Sequence, residues 1–360
     1  MNFLYRRVLK PILFLFNADI IHELFVTVGK FAGRCVIAKW LLGLFYNYSA
    51  EGGSAFGGNG ADISKTVDGI TFRTPVILSA GFDPDGHLTQ VLSSLSFGGE
   101  EVGSITAHPC AGNPHPWFTR LIRNKSFVVY KGLNNRGVDA LISKLSRTKS
   151  SPDFVLGISI ARTNEKEAAI DAESGIRDYV ESFKKLNAAG IGDYYAINIS
   201  CPNAHTGETF IKPELLAQLL PRLREVHCTK PVYLKMPITI PWEQFSALAD
   251  LADENDIQGL IIGNVSKKYA DLDYPEDAPT EFRGGLSGAP CRALSTGLIR
   301  KTREKYGARF TIIGVGGILT PDDAMEKFAA GADLIELISG MIFEGPGLIK
   351  DICERYAATR

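Results

Sequence analysis

From residue 72 onward the chain repeats one pattern eight times: a short apolar run, a polar or glycine-rich end, and an amphipathic stretch. A strand buried on both faces of a parallel sheet has such a continuous apolar sequence, and the amphipathic stretch is typical of a helix that covers the sheet. The runs cover residues 75–80, 101–106, 154–160, 194–200, 231–236, 258–263, 310–315 and 333–339. The pattern predicts an α/β fold, a (β/α)8 TIM barrel, and the repeat is close to the usual size of about 250 residues.

A doubly wound open sheet is the alternative arrangement of such units. Its ligand-binding groups would gather at one switch point in the strand order. Here polar residues follow nearly every apolar run, including Ser79 after the first, Thr106 after the second and Asn264 after the sixth. This distribution favours the barrel, because the carboxyl ends of all barrel strands converge on one mouth.

The fourth run ends in the most informative segment, residues 198–203, which read Asn-Ile-Ser-Cys-Pro-Asn. Asparagine amides present donors and acceptors together, which suits a flavin ring or the edge of another planar heterocycle. Cys201 is a candidate nucleophile, general base or metal ligand. The structural alternative is a polar strand end with Cys201 packed as a small apolar residue.

Two late glycine-rich segments indicate a phosphate site. Residues 314–318 read Gly-Val-Gly-Gly-Ile and lead into a helix start with Pro321 in its first turn, while Ser339 and Gly340 follow the eighth run. Backbone N–H groups in the seventh and eighth loops form the usual phosphate site of a barrel, and residues 284–288 are expected to help close it. Lys235, at the end of the fifth run, would face negative charge such as a reduced flavin, or else reach solvent along the strand end.

Composition excludes several other classes. The 360 residues carry a formal net charge of −1, which gives no argument for a nucleic-acid partner. The six cysteines are scattered without a C-x-x-C pair, and none of the six histidines forms an H-x-x-x-H pair. We therefore expect a reduced compartment and neither structural zinc nor another metal site.

The first 50 residues differ from the rest of the chain. They are largely apolar, with Arg6, Arg7 and Lys10 interspersed. A membrane-spanning helix needs about 18 uncharged apolar residues, which no stretch reaches, and Asp19 and Glu23 stand where a signal peptide would have small residues. Short helices with basic flanks and aromatic residues are typical of a segment that lies in the membrane interface.

We therefore predict a helical membrane-associating extension over residues 1–50, a linker leading into the barrel over 51–71, with its glycine-rich part at 52–60, and the barrel over 72–360. The expected location is peripheral, on the cytoplasmic face of a membrane or on an organellar inner membrane. The alternative is a helical lid whose apolar surface is buried entirely against the barrel. The residues expected to dock on lipid are Phe3, Leu13, Phe16, Trp40 and Phe45.

Taken together, these motifs resemble the dihydroorotate dehydrogenase family, over most of the chain. The matching segments are residues 80–83, 112–114, 132–135, 198–203, 284–288, 314–318 and 345–346. The resemblance implies a barrel that binds FMN. The N-terminal segment, with His22 and Glu23, resembles the helical extension of the membrane-associated class, which uses a quinone and places this extension over a quinone tunnel leading to the flavin.

The resemblance also implies roles for individual residues. Cys201 matches the base, and Arg120 matches the second arginine after the Gly-Asn-Pro motif. Asn134, Asn203 and Asn264 would hold the dihydropyrimidine. The residues expected around FMN are Ala80, Gly81, Thr106, Asn198, Lys235, Ser287, Gly288, Gly316, Gly317, Ser339 and Gly340. In this role Cys201 would take a proton from the substrate while hydride leaves to flavin N5, and an unperturbed thiol pKa near 8.5 predicts partial ionisation at neutral pH.

The sequence departs from the family in the substrate pocket. The membrane-associated class usually has serine as its base, whereas this chain has Cys201 at that position, and cysteine is the base in the soluble class. Pro84 and Gly103 occupy the two positions from which the classes take their active-site lysine. Three other polar family residues are replaced, by Val129, Ser159 and Val265. Each buried polar group left unpaired costs about 1–3 kcal/mol, so orotate binding would weaken, and Lys131 is the candidate replacement cation.

Three functions therefore compete. The first is a dihydroorotate dehydrogenase that oxidises (S)-dihydroorotate to orotate in pyrimidine biosynthesis and passes electrons to a quinone. The second is a related FMN oxidoreductase that acts on a less polar unsaturated substrate. The third is a flavin-binding protein with little catalysis. The resemblance along the chain favours the first function, and the lost lysine and asparagine favour the second.

Overall fold

The computed structural model describes residues 2–49, 60–148, 151–164, 171–204, 208–281 and 284–360. Eight parallel strands form a closed barrel in which each strand pairs with its neighbours in the chain and the eighth pairs with the first. The strands are Val76–Leu78, Gly99–Ile105, Val155–Ile160, Tyr194–Asn198, Val232–Met236, Gly259–Ile262, Thr311–Val315 and Leu334–Leu337. Each overlaps one of the predicted apolar runs, so the (β/α)8 barrel prediction is confirmed and the doubly wound alternative is wrong.

Helices follow the strands and cover the barrel. The helices of four or more residues after the first strand are Thr89–Leu92, Val138–Leu145, Ala172–Ala189, Pro213–Arg224, Trp242–Glu254, Arg292–Tyr306, Pro321–Ala329, Ser339–Glu344 and Gly347–Ala357. The predicted helix start after the seventh strand is confirmed. Thr320 and Asp323 form a reciprocal capping box there, and Pro321 occupies the first turn, where its missing N–H costs nothing.

The amino ends of the barrel strands are filled with aromatic residues. The ring of Tyr194 lies 5.1 Å from that of Tyr233 and 6.4 Å from that of Phe72. Phe72 ends a hairpin, Lys65–Val67 paired with Ile70–Phe72, that closes this end of the barrel. The hairpin was not predicted, and it falls in the segment expected to lead into the barrel; most of the expected glycine-rich linker, 52–59, lies outside the described residues.

The opposite end, where the carboxyl ends of the strands converge, carries a second sheet. Its three antiparallel strands are Phe118–Leu121, Ser126–Val129 and Gly285–Gly288, and Gly285 pairs with Val129. This sheet brings the loops after the second and sixth barrel strands together over the mouth. Sequence patterning missed it because three strands of four residues each are too short to show a reliable period.

The N-terminal extension consists of the short helical segments Asn2–Leu4, Tyr5–Leu9 and Lys10–Leu13 and the helices Ala18–Arg34 and Val36–Tyr46. The first of the two longer helices, Ala18–Arg34, is capped by Asn17, whose side chain accepts hydrogen bonds from the N–H groups of Asp19 and Ile20. Buried Asp19 attaches it to the three-stranded sheet over the mouth by accepting hydrogen bonds from the backbone N–H groups of Trp117 and Phe118, each at 2.9 Å. The extension is therefore part of the wall around the barrel mouth.

The outer face of the extension remains exposed. Phe3 is 74% exposed, and Phe16, Trp40 and Phe45 also face outward, whereas Leu13 is half-buried and lines an internal cavity. The alternative in which all of this apolar surface is buried against the barrel is therefore wrong. Within the described chain, no single helix is long and apolar enough to cross a membrane; Tyr5–Leu13 and Ala18–Arg34 meet the criterion only as a pair, with a bend of 118°.

Candidate active site

One cavity of about 430 Å³ begins at the barrel mouth and continues between the barrel and the extension. Its barrel end is lined by Ala80, Gly81, Ser104, Asn198, Cys201, Asn203, Lys235, Asn264, Ser287 and Ser339. The passage toward the extension is lined by Tyr5, Leu13, Phe14, Ile21, His22, Phe25 and Val28, among others. The cavity therefore changes from a polar chamber in the barrel to a mostly apolar passage under the N-terminal helices.

Lys235 lies at the base of the chamber in a buried cluster of charges. Its Nζ donates to Oε1 of Glu101 at 2.7 Å and lies 3.4 Å from Oε2 of Glu336, which also accepts the Ser79 hydroxyl at 2.9 Å. Burial lowers the pKa of Lys235, but the two carboxylates outweigh burial and raise the pKa overall, so the ammonium stays charged. Lys235 was predicted to face negative charge, and in this structure Glu101 and Glu336 supply that charge.

At neutral pH one of the two carboxyl groups in this cluster keeps a proton that an ordinary glutamate would have lost. Burial, the Glu101 charge and their mutual hydrogen bond raise the pKa of Glu336 to about 8, although Lys235 opposes the shift. Oε1 of Glu336 and Oε2 of Glu101 are both buried without another partner in the described structure. A proton between the two carboxyls therefore leaves the cluster neutral with Lys235 at neutral pH.

Asn198 is held at the end of the fourth strand by a hydrogen-bond network. Its Nδ2 donates to the Ser104 hydroxyl at 2.9 Å, and its Oδ1 accepts the backbone N–H of Ser200 at 3.2 Å. The Asn264 amide joins this network by donating to the Ser200 hydroxyl at 2.8 Å. Each of these interactions fixes the amide orientation, so Asn198 and Asn264 present defined polar edges to the cavity.

Cys201 follows this network and lines the same cavity with intermediate exposure. Burial raises the pKa of its thiol to about 11, and the backbone N–H groups of Asn203 and Ala204 oppose that rise only partly. The expectation of a nearly unperturbed thiol is therefore wrong. The physical reason is desolvation in an enclosed chamber, because charges of opposite sign nearby are too few to compensate.

The substrate-binding candidates also converge on the cavity. Asn203 accepts the backbone N–H of Gly285 at 2.9 Å through its Oδ1, and Asn134 donates to the carbonyl of Ala111 at 2.9 Å. Lys131 is 9% exposed and lines the cavity as well. The structure thus brings together all four predicted substrate residues, Asn134, Asn203, Asn264 and Lys131, with Cys201.

The predicted flavin residues divide into two groups. Ala80, Gly81, Asn198, Lys235, Ser287 and Ser339 line the cavity, whereas Thr106, Gly288, Gly316, Gly317 and Gly340 do not. Thr106 is fully buried, and its hydroxyl donates to the carbonyl of His108 at 2.6 Å, so the structure gives it a loop-supporting role. The other members of the second group are glycines of the expected phosphate loops.

The two expected phosphate loops do lie together. A side chain at Gly340 would overlap the backbone of Ile318, so the loops after the seventh and eighth strands are in direct contact there. Gly316 and Gly317 have φ values of 107° and 73°, which turn their N–H groups in ways that other residues rarely adopt. Across from them, the hydroxyls of Ser287 and Ser339 lie 2.9 Å apart. These donors, together with Asn198 and Lys235, fit a phosphorylated planar heterocycle such as FMN.

Most of the family departures lie on the wall of this cavity. Pro84, Gly103, Val129 and Val265 all line it, so the lost lysine and amides leave apolar surface where polar partners would be expected. Ser159 is the exception. It is fully buried, with its hydroxyl 2.8 Å from that of Ser104, and therefore supports the network under Asn198.

Sequence reasoning missed several residues that shape the site. Glu101 and Glu336 escaped notice, although each is a charged residue inside an apolar run and could have been flagged for that reason. His22, which the sequence placed only in the extension, donates its Nε2–H to the carbonyl of Phe82 at 2.7 Å, and burial lowers the pKa of His22 to about 4, so the ring is neutral.

The fold and the chamber define an α/β-barrel oxidoreductase, and comparisons with known proteins agree. Residues 62–359 match the family described as dihydroorotate dehydrogenase. Among curated relatives, "Dihydroorotate dehydrogenase (quinone)" of Thermosynechococcus vestitus is 35% identical over 302 residues, covering 82% of this chain and 81% of the relative. The protein of the same name from Christiangramia forsetii is 34% identical over 357 residues and covers 98% of both chains, including the N-terminal helices.

A solved structure is also similar. The ligand-free dihydroorotate dehydrogenase of Eimeria tenella superimposes with a TM-score of 0.75 at 25% identity, covering 90% of this chain and 93% of that one. The chain belongs to the dihydroorotate dehydrogenase family. Members of this family are FMN-dependent oxidoreductases that act on CH–CH groups, so the reading as a non-catalytic flavin-binding protein is not favoured.

Proposed function

We propose that this protein is an FMN-dependent dihydroorotate dehydrogenase that oxidises (S)-dihydroorotate to orotate and passes the electrons to a quinone. The observation that carries the proposal is the single cavity that contains the Cys201 thiol, the amide network of Asn198 and an apolar passage under the extension. A polar chamber and an apolar passage in continuity suit a polar electron donor and an apolar acceptor.

The residues that would hold FMN follow from the chamber. Asn198 and Lys235 would contact the ring, the backbone at Ala80 and Gly81 would approach it closely, and the Gly316 loop with Ser339 would take the phosphate. Gly81 supports this assignment because its φ is 108° and nothing lies within 4 Å of the place where a side chain would begin. Gly317 belongs to the same loop as Gly316, and Thr106, Gly288 and Gly340 would then support this cradle from behind. When bound, FMN supplies the acceptor for the hydride that leaves the substrate.

The proposed role of Cys201 is that of general base. Oxidising a CH–CH bond next to a carbonyl requires removal of a proton from the carbon beside that carbonyl, and a thiolate at the cavity wall can accept it. Asn134, Asn203 and Asn264 would orient the pyrimidine edge by amide hydrogen bonds. Because burial raises the Cys201 pKa to about 11, little thiolate exists at neutral pH in the free protein, and the rate of proton removal should increase with pH.

The apolar passage is the proposed quinone route. Its walls carry polar groups that include neutral His22 and Arg120, whose guanidinium lies 4.6 Å from the Phe14 ring centre and donates to the carbonyl of Phe16 at 2.5 Å. The Nε of Arg120 is buried without a hydrogen-bond partner in the described structure. A quinone carbonyl would find a donor there, within a passage otherwise suited to its apolar ring.

The exposed outer face of the extension is the proposed membrane-docking surface. Replacing Phe16, Trp40 and Phe45 together by serine should abolish co-sedimentation with vesicles of phosphatidylcholine and phosphatidylglycerol, because these three side chains face outward and do not line the cavity. Flavin content and activity with a short-chain, water-soluble quinone should stay within about twofold of wild type, since exposed substitutions rarely change stability by more than about 0.5 kcal/mol. Unchanged sedimentation of the triple variant would contradict lipid docking through this face.

The overall proposal is tested by steady-state turnover. Flavin-loaded protein supplied with (S)-dihydroorotate and a short-chain quinone should form orotate, measured by its ultraviolet absorbance. A flavin-loaded protein that forms no orotate under these conditions would contradict the proposal.

A further inference from the structure

Lys131 is a buried cation without an anionic partner. Lys131 comes two positions after the strand Ser126–Val129, lines the cavity and is 9% exposed. Within the described ranges it makes no hydrogen bond or ion pair; its Nζ lies 5.5 Å from the ring centre of Trp117 and 5.9 Å from that of Phe118. Aromatic rings compensate a buried ammonium only in part, because a cation–π contact contributes about 0.5–2 kcal/mol.

The carboxylates around Lys131 attract it without pairing with it. Asp83, Asp85, Asp19 and Glu23 all act on its charge, but none lies within the 4 Å of an ion pair. Two of them are engaged elsewhere: Asp19 with the N–H groups of Trp117 and Phe118, and Asp83 with the N–H of Leu88 at 2.5 Å. These groups keep an ammonium favourable at this position while leaving its three donors free for a ligand.

The backbone that carries Lys131 is held in place by hydrogen bonds to the neighbouring loops. The backbone carbonyl of Lys131 accepts a hydrogen bond from the N–H of Asn113 at 3.0 Å, and the neighbouring Tyr130 N–H donates to the carbonyl of Trp117 at 2.7 Å. The Trp117 indole in turn donates to the carbonyl of Asn113 at 2.7 Å, and the Asn113 amide donates to the carbonyl of Asn203 at 2.9 Å. Lys131 is thus tied to the loop that carries Cys201 and Asn203.

We propose that Lys131 binds the carboxylate of the substrate and so makes the site specific for a dihydropyrimidine that carries a carboxylate; this inference rests on the function proposed above. The chamber has no other cation facing it except Lys235, which two carboxylates already pair, and Arg120, which lies in the apolar passage, among the described residues. A carboxylate placed at Lys131 gains a charge-assisted hydrogen bond and relieves an unpaired buried charge. Lys131 therefore supplies, from a different loop, the charge absent at Pro84 and Gly103.

The test is an equilibrium titration of the oxidised, flavin-loaded protein with orotate, followed by the flavin absorbance. Lys131→Met should raise the orotate Kd about 10- to 100-fold, because hydrogen bonds to charged groups are typically worth that factor. Lys131→Arg should stay within a few-fold of wild type. Lys184→Met, which removes an exposed lysine from the outer helix Ala172–Ala189, is the matched control and should bind orotate normally.

Two further readouts separate a binding role from a structural one. In kinetics, Lys131→Met should raise the KM for dihydroorotate far more than it lowers kcat, and it should lower kcat/KM much more for dihydroorotate than for uncharged dihydrouracil. Burial lowers the pKa of Lys131 to about 8 although the four carboxylates oppose the shift, and nearby His22 is neutral in this range, so orotate binding by wild type should weaken above pH 8. The arginine variant should not show this weakening, because guanidinium remains charged.

Each outcome decides a different claim. Equal orotate affinity in wild type and Lys131→Met overturns the inference about Lys131 while the proposed function stands. If the methionine variant loses its flavin, the pH dependence of wild type against Lys131→Arg decides instead, and identical profiles overturn the inference. If wild type neither binds orotate nor is reduced by dihydroorotate, the proposed function itself fails.

Discussion

Replacing Cys201 by alanine should slow reduction of the flavin by saturating dihydroorotate about 10²- to 10⁴-fold, the usual contribution of a positioned base. Substrate and flavin binding should persist, because the amide network of Asn198, Ser104 and Ser200 does not include the thiol. Stopped-flow absorbance under anaerobic conditions measures the rate directly. Flavin content and orotate affinity serve as the controls for an intact site.

The pH profile sharpens this prediction. With the wild-type thiol pKa raised by burial to about 11, the rate at saturating substrate should rise about tenfold per pH unit between pH 7 and pH 9. Cys201→Ser should retain some activity with its profile displaced to higher pH, since a hydroxyl ionises less readily. Near-normal reduction by Cys201→Ala would assign the proton transfer to another group, with Lys131 the first to be tested.

Replacing Lys235 by methionine should lower the free energy of unfolding by about 3–5 kcal/mol, because it leaves Glu101 and Glu336 buried without their cation. Urea unfolding of wild type and variant at the same pH gives the value. The exposed Lys184→Met substitution is the matched control and should change stability by less than about 0.5 kcal/mol. A loss as small as that of the control would show that the buried cluster is not organised by Lys235.

The same cluster predicts a pH dependence of stability. The Glu336 pKa is about 8 in the folded protein against an ordinary 4.5, so the folded state holds a proton that the unfolded chain has lost between these values. This group therefore lowers stability as pH rises from about 4.5 to 8. Glu336→Gln should remove that decline, because its amide can donate to Glu101 without a titrating proton, and it should stabilise the protein more at pH 8 than at pH 5. A parallel decline in both proteins would contradict the shared proton.

The barrel could be predicted from the sequence because its information is local and repeated. Each strand is an apolar run such as residues 154–160, followed by a helical stretch, and eight repeats leave few other topologies. The short strand Ser126–Val129 was missed because its pairing with Gly285–Gly288 joins residues more than 150 positions apart. Such contacts leave no periodic trace in the sequence.

In the candidate site, too, the residues found from the sequence are those whose signal is local, and the properties missed depend on distant contacts. Cys201, Asn198 and Asn203 were found because they form one unusual segment. Lys131 was found because it lies two residues from Val129, which replaces a polar residue of the family, and could supply the missing positive charge. The pKa of Cys201 could not be predicted, since it depends on how completely the chamber excludes water. The pairing of Lys235 with Glu101 and Glu336 was equally hidden, because three separate strands bring those side chains to one point inside the barrel.

The most direct test of the central claim is anaerobic mixing of the purified, flavin-loaded protein with (S)-dihydroorotate. The account predicts that the yellow flavin absorbance bleaches, that about one orotate forms per flavin, and that a short-chain quinone then restores the absorbance. Flavin that stays oxidised at saturating dihydroorotate, but is bleached by a chemical reductant, would contradict the account.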